Sequence, residues 1–148
     1  MRLELTRRAD YAIRTSICLA GEGRERLVPA PDIARRMDVP PRFLPQIMQD
    51  LVRAGLVEAL PGRGGGYRLT REPEEVSLLE VIEAVEGDVR RRTCVLRADD
   101  CAPDRKCGVH DLFATAQDAL LERLADASVH DATLGAADGS ELADSTAT

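Results

Sequence analysis

The chain has 148 residues, 44% of them hydrophobic and 3% aromatic, which predicts one helix-rich domain with a core of Leu, Val, Ile and Ala. Its net charge of −6 is segregated: residues 1–72 hold 13 Arg against 9 acids, whereas residues 73–148 hold 7 basic residues against 17 acids, so an anion-binding face is expected in the first half. Neither a membrane span of roughly 18 apolar residues nor the apolar run of a secretory signal is present, which predicts a cytoplasmic protein without a membrane partner.

Three helices are predicted in the first third of the chain. Ala and Ile at helical spacing indicate the first helix over residues 6–21, which Gly21 and Gly23 are expected to end. The second is predicted over 31–37, because proline is favoured at a first helical position. The third is predicted over 41–54, after the turn MDVPP. Its expected buried stripe consists of Phe43, Leu44, Ile47, Met48 and Leu51.

A hairpin and a fourth helix follow. The strand-like runs LVEAL (56–60) and YRLT (67–70) are joined by the glycine-rich stretch PGRGGG. A helix is predicted over 77–86, with Ser77 and Glu80 at the spacing of a capping box. This order is typical of a winged helix-turn-helix, in which the third helix enters the DNA major groove and the hairpin forms the wing beside it.

The second half of the chain predicts three further segments. Residues 88–107 show no period, and an irregular stretch of this length is typical of a functional loop. Over 108–127 the helical pattern returns with a narrow apolar seam, which suits a partner helix and predicts a homodimer. We therefore expect a winged domain over 1–87, the cysteine-rich loop, a dimerisation region over 108–134 and a disordered tail over 135–148. The seam consists of Val109, Phe113, Ala116, Leu120 and Leu124.

The expected fold is thus mainly α, a winged helix-turn-helix with a long C-terminal dimerisation helix, and its expected partner is double-stranded DNA with a palindromic operator. Arg42 and Gln46 lie early on the third helix, where side chains reach base edges, and they can pair with guanine and adenine. Arg63 on the glycine tip is expected to touch the DNA backbone or minor groove. The predicted DNA-binding residues are Arg42, Gln46, Gln49, Arg53, Arg63, Gly64 and Gly65.

Three of the four cysteines lie in one segment, CVLRADDCAPDRKCGVH, at Cys94, Cys101 and Cys107, and His110 ends that segment. Thiolates are the soft ligands that iron–sulfur clusters require, and the gaps of six and five residues lack the Cys-x-x-Cys spacing of structural zinc. A disulfide is uncommon in the cytoplasm. The segment therefore predicts a metal centre. An iron–sulfur cluster is the expected group, and a zinc site is the alternative. Cys18 lies in an apolar helical run and is expected in the core.

Several motifs together resemble the Rrf2 family of bacterial transcription regulators. They are the start MRLELTRRADYAIR, the helix-turn-helix VPPRFLPQIMQDLVRAGLV, the wing GRGGGYRLTR, the helix VSLLEVIEAVEG and the cysteine segment, and they cover roughly residues 1–134. The resemblance implies a dimeric winged-helix repressor or activator, and we expect a repressor. No Cys-x-x-Cys motif or pair of catalytic acids supports an enzyme. Pro45 stands where many members carry Glu, so the operator of those members does not transfer to this chain.

The cluster-binding branch of that family holds an iron–sulfur cluster on the three cysteines, and the resemblance offers two fourth ligands. Members that regulate iron–sulfur biogenesis use a histidine three residues after the last cysteine and hold a [2Fe–2S] cluster, a position that His110 matches. Nitric-oxide-sensing members use an aspartate from the partner subunit's first helix and hold a [4Fe–4S] cluster, a position that Asp10 matches. The implied function is operator binding controlled by nitric oxide, redox state or iron–sulfur status. The alternative is the same fold with a zinc site or a thiol switch.

Overall fold

The computed structural model describes residues 5–90, 96 and 107–138. This part of the chain is mostly helical and carries a two-stranded antiparallel sheet, in the predicted order of helix, helix-turn-helix, hairpin and helix. Its elements are α1 (Arg7–Glu22), α2 (Ala30–Arg36), α3 (Leu44–Arg53), β1 (Val57–Leu60), β2 (Gly66–Leu69), a short 3-10 helix (Pro73–Glu75), α4 (Leu78–Glu86), α5 (His110–Asp126) and α6 (Val129–Asp138).

The core lies between α1, α3 and α4, and α6 packs against α1 from the other end of the chain. Its side chains are aliphatic, as the composition predicts, and each fully buried Leu, Ile or Val contributes about 1.5–3 kcal/mol. The largest completely buried side chains are Leu19, Ile33, Leu44, Ile47, Met48, Leu51, Leu69, Val39, Val57, Val76, Val81 and Val129.

Helix α1 begins at the cap residue Thr6, whose hydroxyl accepts a hydrogen bond from the backbone N–H of Ala9 at 3.1 Å. The helix continues through Gly21, which was expected to end it, because nothing in an α-helix excludes a single glycine on an exposed position. Gly23 ends it instead, with a φ of 73° that a residue with a Cβ rarely adopts.

Helix α3 starts three residues later than predicted. Pro45 has no N–H and cannot donate to the carbonyl of Pro41, so residues 41–43 form a turn in which Phe43 N–H donates to the carbonyl of Pro40 at 3.0 Å. The α-helical ladder begins with the bond from Ile47 N–H to the Phe43 carbonyl at 3.3 Å. Arg42 therefore lies in the turn before α3 and not on the helix itself.

The wing is a regular antiparallel hairpin with Val57 paired to Leu69 and Leu60 to Gly66. A third segment joins its edge, because Val28 and Tyr67 exchange two backbone hydrogen bonds of 2.9 and 3.0 Å. This bridge ties the wing to the segment between α1 and α2.

Helix α4 begins with the predicted capping box. The Ser77 hydroxyl accepts from Glu80 N–H at 3.1 Å, and the Glu80 carboxylate accepts from Ser77 N–H at 2.9 Å. Partial burial raises the pKa of Glu80, but the backbone N–H of Ser77 and the guanidinium of Arg71 outweigh it, so that the pKa lies below its ordinary value.

Helix α6 was not predicted, and it corrects the start of the expected disordered tail, because the helix runs to Asp138. A second capping box starts it: the Ser128 hydroxyl accepts from Asp131 N–H at 3.1 Å, and the Asp131 carboxylate accepts from Ser128 N–H at 2.8 Å. The backbone N–H of Ser128 lowers the pKa of Asp131. Residues 139–148 of the predicted tail lie outside the described residues. None of the described helices is long and apolar enough to cross a membrane.

Candidate DNA-binding face and metal-ligand positions

The exposed side of the helix-turn-helix carries four of the seven residues predicted to contact DNA. Arg42, Gln46, Gln49 and Arg53 are all exposed, whereas the apolar stripe on the other side of α3 is buried in the core. The spacing of three and four residues places Gln46, Gln49 and Arg53 on one side of the helix, and Arg42 lies in the turn that precedes it. Together with the preceding turn, α3 thus presents a continuous polar surface to solvent.

Arg42 is held by an aromatic ring at the start of this surface. Its guanidinium carbon lies 4.8 Å from the ring centroid of Phe43, within the range of a cation–π contact. The Phe43 ring in turn lies 5.6 Å from that of Tyr11 on α1. Arg42 is therefore supported by a pair of half-buried rings that anchor the turn to the first helix.

Asp50, which the sequence did not single out, organises the middle of the face. Its carboxylate accepts hydrogen bonds from Arg8 Nη2 at 2.6 Å, Gln46 Nε2 at 3.1 Å and Arg53 Nη1 at 3.4 Å. Two of the four predicted contact residues on this face are thus bound to one acid. The only signal in the sequence was an acidic residue three positions from the apolar Ile47, at the edge of the buried stripe.

The wing tip carries Arg63, whose side chain is exposed as predicted. The neighbouring glycines serve the chain's own backbone: a Cβ on Gly65 would lie 2.2 Å from the carbonyl oxygen of Leu60, and one on Gly66 would lie 2.6 Å from the carbonyl carbon of Val28. The packing of the hairpin is therefore sufficient to require both glycines. Gly64 has a φ of 71° and open space around it.

The predicted metal ligands are described only in part. Cys94 and Cys101 lie outside the described residues, while Cys107 is a free, half-buried thiol just before α5. The backbone N–H of His110 donates to the Cys107 carbonyl at 3.0 Å, so one turn holds both residues. Among the described residues no three His, Cys, Asp or Glu side chains converge on a possible metal position.

Asp10, the other candidate ligand, lies on α1 and is engaged in an ion pair. Its carboxylate accepts from Arg14 Nε at 2.9 Å, and Arg14 Nη1 also donates to the carbonyl of Met37 at 3.4 Å. Asp10 is partly exposed, so a metal could reach its carboxylate. Its present partner, Arg14, links α1 to the end of α2.

Cys18 behaves as the predicted core residue. It is buried, and burial raises the pKa of its thiol above the ordinary value, with Arg36 acting weakly in the opposite direction. A thiol that keeps its proton is a poor metal ligand. Both observations agree with the expectation that Cys18 belongs to the core.

The outer side of α5 is apolar and exposed. Leu112, Phe113 and Leu120 are exposed there, and Ala116 lies between them on the same side of the helix. On the opposite side, Ala114 is buried against the rest of the chain. Three residues of the predicted seam, Phe113, Ala116 and Leu120, thus face solvent in the single chain.

The chain is similar to known transcriptional regulators. Residues 5–133 match the family model of Rrf2, described as an iron-dependent transcriptional regulator. An rrf2-like HTH-type transcriptional regulator of Rhodobacter capsulatus is 33% identical over 118 residues, which cover 74% of this chain and 79% of that protein.

The HTH-type transcriptional regulator IscR of Vibrio atlanticus is 34% identical over 111 residues, which cover 75% of this chain and 64% of that protein. Among solved structures, CymR, the global cysteine regulator of B. subtilis, is similar with a TM-score of 0.76 at 24% identity, over 89% of this chain and 97% of that one. The structural match shows a common fold.

Proposed function

This chain belongs to the Rrf2 family of transcriptional regulators, and we propose that it binds a palindromic operator as a homodimer under the control of an iron–sulfur cluster. As a member of that family it is a regulator of transcription and not an enzyme. The observation that carries the DNA-binding proposal is the exposed polar face of α3 beside a wing with an exposed arginine tip.

In this proposal α3 lies in the major groove, where Arg42 and Gln46 read base edges and Arg53 contacts phosphate. Arg63 reaches the DNA backbone from the wing. The net charge of the first half of the chain, 13 Arg against 9 acids, supports a phosphate-facing surface although the whole chain is acidic. A DNA partner also agrees with the expected cytoplasmic location.

The homodimer is supported by the apolar outer side of α5, which a second copy of the same helix would cover. A two-fold dimer brings two copies of α3 to two half-sites, so the operator is expected to be palindromic. Helix α6 packs against α1 and the 3-10 helix of its own chain.

The cluster is supported by the chemistry of the donors. Cys107 is a free, half-buried thiol, and with Cys94 and Cys101 it would supply the three thiolates that such clusters require. When bound, the cluster supplies an iron centre that reacts with nitric oxide or oxidants. In this proposal the three cysteines would hold the segment before α5 in one conformation when they bind the cluster. The cluster would then lie next to α5, because Cys107 lies three residues before the first residue of that helix.

The two candidates for the fourth ligand differ in the interactions that each would lose on binding the metal. His110 already shares a turn with Cys107 and keeps its backbone bond when its imidazole binds. Asp10 of the partner subunit would have to exchange its ion pair with Arg14 for the metal. A histidine ligand therefore closes the site within one chain, whereas an aspartate ligand ties the two chains together.

Purification without air tests the cluster. The wild-type protein is expected to be coloured and to contain iron and sulfide, and Cys107→Ser is expected to lose both. Cys18→Ala is the matched control, because it removes a buried thiol and should leave the iron content unchanged. His110→Ala and Asp10→Ala, compared by iron content and visible absorption, identify the fourth ligand. A colourless wild-type protein without iron would contradict the cluster.

The alternative is the same DNA-binding fold with zinc or a thiol switch on these cysteines. The absence of visible absorption together with one bound zinc per chain would support the zinc site. Operator affinity that changes with thiol oxidation, in protein without any metal, would support the switch. DNA binding itself is common to all three versions, so it is measured separately, by the selection described below.

A further inference from the structure

Asp50 is the one acidic or basic residue among the buried residues that the structure describes, with 5% of its surface exposed. A buried carboxylate is strongly unfavourable unless donors surround it. Its position is unusual for a second reason, because it lies on the helix proposed to read DNA, one turn after Gln46. The three donors on Asp50 therefore decide how part of the reading face is arranged.

The two oxygens of Asp50 have different partners. Oδ2 accepts from Arg8 on α1 at 2.6 Å, which is a short, charge-assisted bond between two helices. Oδ1 accepts from Gln46 Nε2 at 3.1 Å, while Arg53 Nη1 lies at 3.4 Å, the outer limit for such a bond. Arg8 thus fixes the carboxylate, and the carboxylate in turn holds Gln46.

This bond gives the Gln46 amide one orientation. An ionised carboxylate can only accept hydrogen bonds, so the NH₂ end of the amide must be the end that faces Asp50. The carbonyl oxygen Oε1 and the second N–H are then left for other partners. An oxygen acceptor beside an N–H donor is the pattern that pairs with N6 and N7 of adenine.

We propose that Asp50 is a positioning residue for sequence recognition: it holds the Gln46 amide in the orientation that selects adenine and disfavours guanine. The inference rests on the proposed function, since it assigns a role within the DNA-reading face. In a free amide, rotation by half a turn would present NH₂ to the groove and match the acceptors O6 and N7 of guanine. Asp50 opposes that rotation because the carbonyl oxygen of Gln46 would then face the carboxylate.

Asp50→Asn tests this role with the smallest change in shape. An asparagine amide can donate as well as accept, so it can bond to Gln46 in either orientation. We expect the preference for adenine over guanine at one base pair of each half-site to fall about tenfold, within the range assigned to one bidentate contact. Binding to the remaining base pairs should stay as in the wild type.

The experiment selects binding sites from a pool of random duplexes with the full-length protein purified without air. Four variants are compared with the wild type: Asp50→Asn, Gln46→Ala, and the controls Asp32→Asn and Leu60→Ala. Asp32 is a matched control because it also accepts from an arginine on its own helix, Arg35 at 2.8 Å, but lies partly exposed on α2. Dissociation constants are then measured on the selected duplex and on its single-base-pair variants.

The inference is supported if Asp50→Asn weakens the base preference at the same single position where Gln46→Ala abolishes it. Asp32→Asn should keep the wild-type preference at every position. If Asp50→Asn keeps the wild-type preference at every position, the inference is overturned. A wild-type protein that selects no common sequence contradicts the proposed function instead. If Asp50→Asn loses affinity equally for all duplexes, Asp50 only links α1 to α3 through Arg8. This result also overturns the inference.

A second measurement uses the wild-type protein, and it tests the inference even if the Asp50→Asn variant does not fold. In the wild-type protein, nuclear magnetic resonance can follow the side-chain amide protons of Gln46 and of Gln49, which is exposed on the same face. Slower exchange of a Gln46 amide proton with solvent supports the bond to Asp50. Exchange as fast as that of Gln49 contradicts it.

Discussion

The exposed apolar side of α5 makes the proposed dimer testable by removing two leucines. Leu112 is 74% exposed and Leu120 46% exposed in the single chain, so both leave apolar surface for a second copy to cover. We predict that Leu112→Ala with Leu120→Ala dissociates the dimer while the fold stays intact. Alanine is the better helix former, and the substitutions therefore do not weaken α5 itself.

The expected magnitude follows from the exposed fractions. Complete burial of a leucine side chain contributes about 1.5–3 kcal/mol, so covering these fractions contributes about 1–2 kcal/mol at Leu112 and about 1 kcal/mol at Leu120. Each residue occurs twice in a two-fold interface, which doubles both values. The two positions lie about 12 Å apart along the helix, far enough for their effects to add. The total of roughly 4–7 kcal/mol corresponds to a dissociation constant raised about a thousandfold or more.

Sedimentation equilibrium over a range of protein concentrations measures this constant, and circular dichroism checks the helix content. Leu60→Ala on the wing is the matched control, because Leu60 is 41% exposed and lies away from α5. It should dimerise like the wild type. A double variant that keeps the wild-type dissociation constant would refute the assignment of α5 to the interface, and a wild-type monomer at all concentrations would refute the dimer.

Further predictions concern stability and are measured by urea unfolding. The pKa of Glu80 is lowered, so its carboxylate stabilises the folded chain above the ordinary value of 4.5, and this contribution is lost as the pH falls through the lower folded-state value. Glu80→Gln should therefore destabilise the chain at pH 7 and have a much smaller effect once the pH lies below that folded-state value. Gly65→Ala should cost about 1–3 kcal/mol, because its Cβ would meet the Leu60 carbonyl oxygen at 2.2 Å. Gly21→Ala, with open space around the Cβ on helix α1, should instead stabilise by about 0.5–1 kcal/mol. Val129→Ala should cost about 2 kcal/mol and loosen α6, and an unchanged unfolding midpoint would contradict its role in the core.

Local rules predicted the elements that local forces determine. The capping box at Ser77 needs only two residues three apart, so the sequence located the start of α4 correctly. The predicted start of α3 was wrong because Phe43 N–H bonds to the Pro40 carbonyl in a turn, and because Pro45 lacks the N–H that a helix starting at residue 41 would need. Neither feature follows from the hydrophobic period. Helix α6 was missed because it depends on tertiary packing: Val129 is completely buried in the core, and the helix packs against α1.

The candidate site shows the same division. Spacing along the chain was enough to place four polar residues on one exposed face, since the helical period determines the face. It could not show that Gln46 and Arg53 share an acid with Arg8, because Arg8 and Asp50 are 42 positions apart and meet only through the packing of α1 on α3. Likewise, the conformational reason for Gly65 and Gly66 lies in contacts with backbone that the sequence pattern does not contain.

Helix α4 lies between the proposed dimer contact and the proposed reading face, since it packs against α1, α3 and α5. Its contact with α1 and α3 is a fully buried core, in which close packing resists deformation. Its contact with α5 includes an open groove lined by Leu79, Leu121 and Ala125. In the proposed function, a change in the segment before α5 would therefore move each winged domain as a rigid body on the dimer helix. Such a movement alters the distance between the two copies of α3 and leaves the bases that each one reads unchanged.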